Sequence, residues 1–317
     1  MLNFPLRATV LCLAWLLAGT TLAAPAGVEF ADTIGFTYQI KPDITYAIAS
    51  NVELKLDLYL PRGARKPVPT LVYFHGGGWV EGKKENAALL LMPYLALGWA
   101  VVNVEYRLGR VAPAPAAVED CRCALRWVQK MAAQYQFDTS ALVVAGDSAG
   151  GHLAMTSAML PAGTPFDRSC PTPDGERWGG AREEPVRVAA VINWFGVAEV
   201  EPLLEGGAAR HWAIEWFGSM AERRALAQAV SPLRLVRPGL PPLISVHGGA
   251  DPVVPHAQSV ALHAALDKAG VPNRLVTIPG GIHGAFSRRE VGAANDAIRA
   301  FLVENKVVEH KVLRAAD

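Results

Sequence analysis

The sequence has no excess of either charge, because 30 Lys and Arg residues stand against 29 Asp and Glu in 317 residues. No stretch is rich in Lys and Arg, so the chain offers no electrostatic surface for a nucleic-acid backbone. Cysteine is scarce at 4 residues, and neither Gly nor Pro shows a collagen-like or low-complexity excess. These absences exclude a disulfide-stapled miniprotein, a fibrous protein and a disordered tail, and they argue against a nucleic-acid partner.

Long apolar runs are missing beyond the first residues of the chain. Residues 1–26 hold one cation, Arg7, then an apolar run and then small residues, which is the arrangement of a secretory signal peptide. The run has about eleven residues, whereas a membrane-spanning helix needs roughly 20. We therefore predict a signal peptide over residues 1–23, with cleavage after Ala23 and Ala26 as the alternative site. The mature protein is expected to be exported, periplasmic or secreted, without a stable membrane anchor.

The cysteine count changes once the leader is removed. Cys12 is lost with it, and Cys121, Cys123 and Cys170 remain, so at least one thiol stays outside any intramolecular disulfide. Export permits one bond, from Cys170 to Cys121 or to Cys123, but three unpaired thiols are equally compatible with the sequence. Three cysteines without neighbouring histidines are not the pattern of a zinc site, and no metal or cofactor is expected.

Short apolar strands alternate with amphipathic segments along the mature chain. Residues 44–48 and 54–60 alternate with period two, which predicts an antiparallel pair at a sheet edge. Later strands, such as ALVVA at 141–145, are continuously apolar, as in a parallel sheet covered on both faces. We predict one α/β domain over residues 24–317, a mostly parallel, doubly wound sheet of about eight strands with flanking helices. The other predicted strands are 70–74, 100–104, 188–194, 243–246 and 274–278, and the helices are near 86–97, 116–135, from 148, 257–268 and 291–304.

Residues 195–240 interrupt this alternation. The segment is helical in patches and contains Trp212, Trp216 and Phe217. Because sites in doubly wound sheets lie at the carboxyl ends of the strands, we predict that it forms a small helical, cap-like insertion over the site.

A Gly-Asp-Ser-Ala-Gly sequence at residues 146–150 directly follows a predicted strand and begins a predicted helix. The glycines permit a tight strand-to-helix turn that exposes the hydroxyl of Ser148 at a helix N-terminus. In that context Ser148 is a candidate nucleophile. The alternative is a glycine-rich turn whose serine only caps a helix.

A second glycine-rich element, His-Gly-Gly-Gly-Trp at residues 75–79, also follows a predicted strand. Its backbone N–H groups, together with that of Ala149, can face one developing oxyanion. A phosphate-binding loop is the alternative, but no Gly-Lys-Ser/Thr or G-x-G-x-x-G pattern accompanies it.

A serine hydroxyl needs a base to accept its proton, and the base needs an acid to set its tautomer. In folds with this turn the acid and the histidine follow the serine in that order. Asp251 and His283 do so, each directly after a predicted strand. His247 precedes the acid and is predicted to make local hydrogen bonds, and Asp147 is predicted to be a structural carboxylate.

The combined motifs resemble the α/β-hydrolase esterases of the hormone-sensitive-lipase type, and most of all the bacterial acetylxylan and feruloyl esterase branch (BD-FAE-like). They are HGGGW at 75–79, NVEYRL at 103–108, GDSAGGH at 146–152, NWFG at 193–196, HGGADPVVP at 247–255 and PGGIHG at 279–284. The resemblance implies Ser148 as nucleophile, Asp251 as acid, His283 as base, and the amides of Gly76, Gly77 and Ala149 as the oxyanion hole. One departure is GRV at 109–111, where many relatives continue YRL with APE.

The expected function is that of a serine carboxylesterase that hydrolyses short-chain acyl or aromatic-acid esters through an acyl-enzyme. The ester would be a small molecule or linked to a polysaccharide, and Trp79, Trp212, Trp216 and Phe217 would contact it. A serine peptidase or amidase on the same fold is the first alternative, and a non-catalytic binding module is the second. The sequence indicates no particular oligomeric state.

Overall fold

The computed structural model describes residues 34–167, 170–171, 177–178 and 185–309. The predicted signal peptide, residues 1–23, lies outside the described residues, so cleavage and export stay predictions. None of the described helices combines the length and hydrophobicity that crossing a bilayer requires.

The strands of the described residues are β1 Tyr38–Ala49, β2 Val52–Pro61, β3 Val68–Phe74, β4 Ala100–Val104, β5 Phe137–Asp147, β6 Cys170–Pro171, β7 Arg177–Trp178, β8 Ala190–Trp194, β9 Leu243–Gly248 and β10 Asn273–Ile278. Eight of them form one sheet in the order β1-β2-β4-β3-β5-β8-β9-β10. The pairs β1–β2 and β2–β4 are antiparallel, and the other neighbours in this sheet are parallel. The two short strands β6 and β7 pair separately.

Helices cover both faces of this sheet. The predicted helix 116–135 is interrupted at Met131, which divides it into two. The α-helices in the described part are α1 Met92–Leu95, α2 Ala116–Lys130, α3 Ala132–Tyr135, α4 Ala149–Met159, α5 His211–Phe217, α6 Arg223–Ala229, α7 Pro232–Leu235, α8 His256–Lys268 and α9 Arg288–Glu304. Short 3₁₀ segments span Lys84–Leu91, Pro165–Asp167, Glu201–Leu203 and Gly206–Ala208.

The continuously apolar strands supply two cores, one on each face of the sheet. In β3, Leu71 and Tyr73 pack into one core, while Val72 and Phe74 pack into the other. Successive side chains of a strand point to opposite faces, so a strand buried on both sides must be apolar at every position. The predicted doubly wound, mostly parallel sheet of about eight strands is confirmed, with the antiparallel pair at its edge.

A disulfide joins Cys123 of α2 to Cys170 of β6, with 5.3 Å between the two Cα atoms. Cys121 is a buried free thiol. The structure thus selects one of the arrangements that the sequence left open.

Candidate active site

The turn between β5 and α4 holds Ser148 at φ 52° and ψ −118°. Its amide donates to the carbonyl of Trp194, at 2.8 Å, which fixes the turn to the end of β8. A Cβ on Gly146 would lie 2.3 Å from the Gly150 oxygen, and one on Gly150 would lie 2.0 Å from the Phe74 oxygen. Strand and helix therefore meet at backbone distance, which only glycine permits, and Ser148 stands at the apex of the turn.

His283 and Asp251 reach this serine from the loops that follow β10 and β9. The Ser148 Oγ lies 2.8 Å from His283 Nε2, and His283 Nδ1 lies 2.7 Å from Asp251 Oδ2. The ring of Phe195 packs edge-on against the imidazole, with 4.7 Å between ring centroids. The three residues predicted as nucleophile, base and acid thus form one continuous hydrogen-bonded chain.

The carboxylate determines the tautomer of this histidine. Burial acts to raise the pKa of Asp251, but hydrogen bonds from His247 and His283 and from the Val254 amide outweigh it and hold that pKa well below its usual range. An ionised carboxylate can only accept hydrogen bonds, so Nδ1 of His283 carries a proton and donates it. The neutral ring then presents the lone pair of Nε2 to the Ser148 hydroxyl.

The loop after β3 corrects one residue of the predicted oxyanion hole. The Gly76 amide donates to Asp147 Oδ1 at 3.1 Å, and the same oxygen accepts the Tyr73 hydroxyl at 2.9 Å. An amide turned toward a carboxylate does not face Ser148, so the prediction for Gly76 is wrong. Asp147 is the structural carboxylate that the sequence indicates, and burial raises its pKa.

Gly77, as predicted, and Gly78, in place of Gly76, lie beside the serine. Both line the same cavity as Ser148, with φ of 121° and 58°, and neither amide donates to another group among the described residues. A Cβ on Gly77 would lie 2.0 Å from the Glu81 oxygen, so the loop excludes larger residues there. The amides of Gly77, Gly78 and Ala149 are the candidate donors to an oxyanion.

The cavity in front of Ser148 has a volume of about 730 Å³. Both apolar and polar side chains line it. The apolar lining residues include Val80, Leu90, Phe195, Trp212 and Val253, and the polar ones include Glu81, Arg110, His211 and Glu215. Within the described residues no group of three or more His, Cys, Asp or Glu side chains is arranged to hold a metal ion.

Comparison with known proteins places this arrangement in a family. A family model described as BD-FAE matches residues 56–266. The chain belongs to the BD-FAE family. A second model, described as TAP-like protein, matches residues 221–312.

Several relatives of this BD-FAE chain are named esterases. Esterase LipQ of Mycobacterium tuberculosis is 31% identical over 246 residues, which cover 72% of this chain and 53% of LipQ, so the chain spans about half the length of that relative. The solved esterase Est2 of Thermogutta terrifontis has a TM-score of 0.68 at 28% identity, covering 87% of this chain and 95% of its own, and it is also known with propionate and with butyrate bound. A truncated carbohydrate esterase from gut microbiota has a TM-score of 0.66 at 27% identity, covering 84% and 97%. The predicted likeness to α/β-hydrolase carboxylic ester hydrolases is confirmed.

Only one of the four aromatic residues predicted to contact substrate lines the cavity of this BD-FAE protein. Trp212 lies there, against Gly78. Trp79, Trp216 and Phe217 are fully buried, and Trp79 stacks on Trp216 with 4.2 Å between ring centroids. The prediction is wrong for these three residues. Helix α5 turns Trp216 and Phe217 into the core, where Trp216 stacks on Trp79, and none of the three lines the cavity.

Helix α5 also explains why residues 109–111 depart from the Tyr-Arg-Leu-Ala-Pro-Glu sequence of many relatives. A Cβ on Gly109 would lie 3.0 Å from the Trp216 Cα, so glycine lets α5 approach closely. The next residue, Arg110, is exposed at the cavity mouth and donates to Glu215 of α5 at 2.6 Å. This segment therefore shapes one side of the mouth and does not contact the hydrogen-bonded chain.

Replacing Trp216 and Trp212 by alanine, one at a time, should distinguish a residue that supports the cavity wall from one that lines the cavity. Trp216→Ala removes a fully buried ring from the stack with Trp79, and we expect it to lower the free energy of unfolding by about 3–5 kcal/mol. Trp212→Ala removes a half-buried ring at the cavity and should cost clearly less. Urea unfolding followed by tryptophan fluorescence and circular dichroism measures both, and a larger loss for Trp212→Ala would contradict the assignment.

Proposed function

We propose that this protein is a serine carboxylesterase that works through an acyl-enzyme at Ser148. The observation that carries the proposal is the chain from Asp251 through His283 to Ser148, with 2.7 and 2.8 Å between successive atoms, at the wall of a cavity. Membership of the BD-FAE family and the esterase names of its relatives support the reaction class. A helix-capping role for Ser148 would require neither histidine nor acid in line with its hydroxyl.

Acylation begins when Ser148 Oγ attacks the ester carbonyl carbon and gives its proton to His283 Nε2. The negative charge that develops on the carbonyl oxygen faces the amides of Gly77, Gly78 and Ala149, and each such donor is worth about 2.7–4 kcal/mol. Asp251 stabilises the imidazolium without taking up its proton. His283 then gives the proton from Nε2 to the departing alkoxide as the carbon–oxygen bond breaks, and the alcohol leaves.

Deacylation repeats these steps with water. His283 Nε2 removes a proton from a water molecule, whose oxygen attacks the acyl carbon. The second tetrahedral intermediate uses the same oxyanion donors. His283 then returns the proton to Ser148 Oγ, the acid is released, and the resting hydrogen-bonded chain is restored.

The lining of the cavity favours a short acyl group, or an aromatic acid, joined to a polar alcohol. Apolar groups such as Phe195, Trp212 and Val253 suit the acyl part, while Glu81 and Glu215 at the mouth suit hydroxyl groups. Est2 of Thermogutta terrifontis is known with propionate and with butyrate bound, and a further neighbour is a carbohydrate esterase. We therefore propose uncharged esters of small or polysaccharide-linked alcohols as the substrate class.

A substrate panel tests this proposal. We expect kcat/KM to be highest for p-nitrophenyl acetate to butyrate and at least about tenfold lower for the octanoate, because a long chain exceeds the apolar part of the cavity. Methyl ferulate and acetylated xylan distinguish aromatic-acid from polymer-linked substrates. An aminoacyl-naphthylamide represents the peptidase alternative, and faster cleavage of it than of every ester would overturn the proposal.

A further inference from the structure

A second histidine contacts the acid of the hydrogen-bonded chain. His247, at the end of β9, is fully buried, and its Nε2 lies 3.3 Å from Asp251 Oδ2 and 2.9 Å from the Val254 carbonyl. Its Nδ1 lies 2.7 Å from the hydroxyl of Ser259, which is also fully buried. The sequence indicates only local hydrogen bonds for this residue, so its contact with the acid is a finding of the structure.

The partners of His247 determine where its protons are. Both groups near Nε2, a carboxylate and a carbonyl, can only accept, so Nε2 must carry a hydrogen and share it between them. The Ser259 hydroxyl can donate to the lone pair of Nδ1, which completes the bonding of a neutral ring. The Nε2–H of His247 is thus bonded to the Val254 carbonyl, with Asp251 Oδ2 as a second, longer neighbour at 3.3 Å.

The two oxygens of Asp251 are engaged differently. Oδ1 accepts the amides of Val253 and Val254, at 2.8 and 3.0 Å, which fix the carboxylate to its own loop. Oδ2 accepts from His283 Nδ1 at 2.7 Å, and His247 Nε2 lies 3.3 Å from the same oxygen. A second N–H group beside a carboxylate oxygen stabilises part of its negative charge.

We propose that His247 is a positioning residue whose Nε2–H holds Asp251 Oδ2 in line with His283 and shares the negative charge that faces the imidazole. This inference rests on the proposed function, because the state of His283 matters only if it is the base. The charge that Oδ2 presents to the imidazole sets how strongly the imidazolium is stabilised once His283 has accepted the Ser148 proton.

Other charged and titratable groups around this loop are few in the described residues. His256 of α8 packs edge-on against His247, with 5.5 Å between ring centroids, and its Nε2 contacts Thr277 of β10. Burial lowers the pKa of His256, so it adds no positive charge near neutrality. Arg210 faces the loop from the 195–240 segment, donating to the Val253 carbonyl at 3.3 Å. None of these groups donates to Asp251 Oδ2, so they do not replace His247.

Substituting His247 tests the proposal by the pH profile of kcat/KM. In His247→Phe, which keeps a ring but has no donor, the acid limb of the profile should move about 0.5–1 unit to higher pH, because the freed charge on Oδ2 stabilises the cationic form of the base. On the plateau kcat should fall about tenfold, because the carboxylate loses the N–H group that orients it. His247→Gln retains an N–H near the position of Nε2 and should restore much of both.

The controls separate this role from simple support of the fold. His263→Leu changes another buried histidine, which pairs with Asn273 one turn beyond Ser259 on α8, and should leave the pH profile unchanged. If His247→Phe does not fold, His247→Asn, whose side chain is too short to reach Asp251, gives the same readout. An acid limb that stays in place or moves to lower pH, or equal behaviour of the Gln and Phe variants, overturns the proposal. A wild-type protein that hydrolyses no ester would instead refute the proposed function, while a change in the NMR signals of the His283 ring in His247→Phe would still report on the contact.

Discussion

Replacing Ser148 with alanine is expected to lower kcat for p-nitrophenyl butyrate by about 10⁴- to 10⁶-fold, the range for loss of the nucleophile from such a triad. The hydroxyl is the group that forms the acyl-enzyme, and among the described residues no other hydroxyl has a hydrogen bond to His283. The change removes one oxygen from a partly exposed position, so the fold should be retained. Steady-state kinetics and circular dichroism of the purified variant measure both effects.

Ser157→Ala is the matched control for this substitution. Ser157 lies on α4, the same helix that Ser148 precedes, but it is buried near the other end, and its Oγ has no hydrogen-bond partner in the described part of the chain. It should keep activity within about twofold, since no group of the hydrogen-bonded chain contacts it. Labelling with paraoxon, an organophosphate that phosphorylates Est2, gives a second readout. The wild-type protein should gain one phosphoryl group and Ser148→Ala none. Retained turnover or labelling in that variant would refute the nucleophile assignment.

The parts of the site that could be predicted from sequence are those that depend on strand order. Ser148, Asp251 and His283 each follow an apolar strand, and parallel strands bring their carboxyl ends to one edge of the sheet. The same logic predicts the sheet itself, because strands buried on both faces are readable as continuous apolar runs. Neither inference needs the position of any individual side chain.

Features that depend on side-chain direction could not be predicted in this way. Cys121 and Cys123 are two residues apart on α2, so they lie on different faces of the helix, and only the packed structure shows that Cys123 faces Cys170. The loop at residues 75–79 is a similar case, because the Gly76 amide donates to the side chain of Asp147 and so does not face Ser148. The prediction that Trp216 contacts substrate was wrong for the same reason, because the rotation of α5 about its axis buries this side chain.

The second large effect is expected at Asp251, the acid of the hydrogen-bonded chain. Asp251→Asn should lower kcat at neutral pH by about 10⁴-fold while KM changes little. The two loop amides of Val253 and Val254 bind the present Oδ1, so the asparagine oxygen should occupy that position. Its NH₂ group then replaces Oδ2 and points at Nδ1 of His283.

A donor facing Nδ1 reverses the tautomer of His283, because Nδ1 must now accept and the ring proton moves to Nε2. A protonated Nε2 cannot take up the proton of Ser148, so the loss falls on kcat. Asp267→Asn is the control, since Asp267 is an exposed carboxylate on α8 that accepts only from Asn273, at 2.7 Å, among the described residues, and its change should cost less than about twofold. A loss of only a few fold in Asp251→Asn would mean that the ring keeps its orientation and tautomer without the carboxylate. In that case Phe195, which packs against His283, would be the group that holds it, and Phe195→Ala would become the more damaging change.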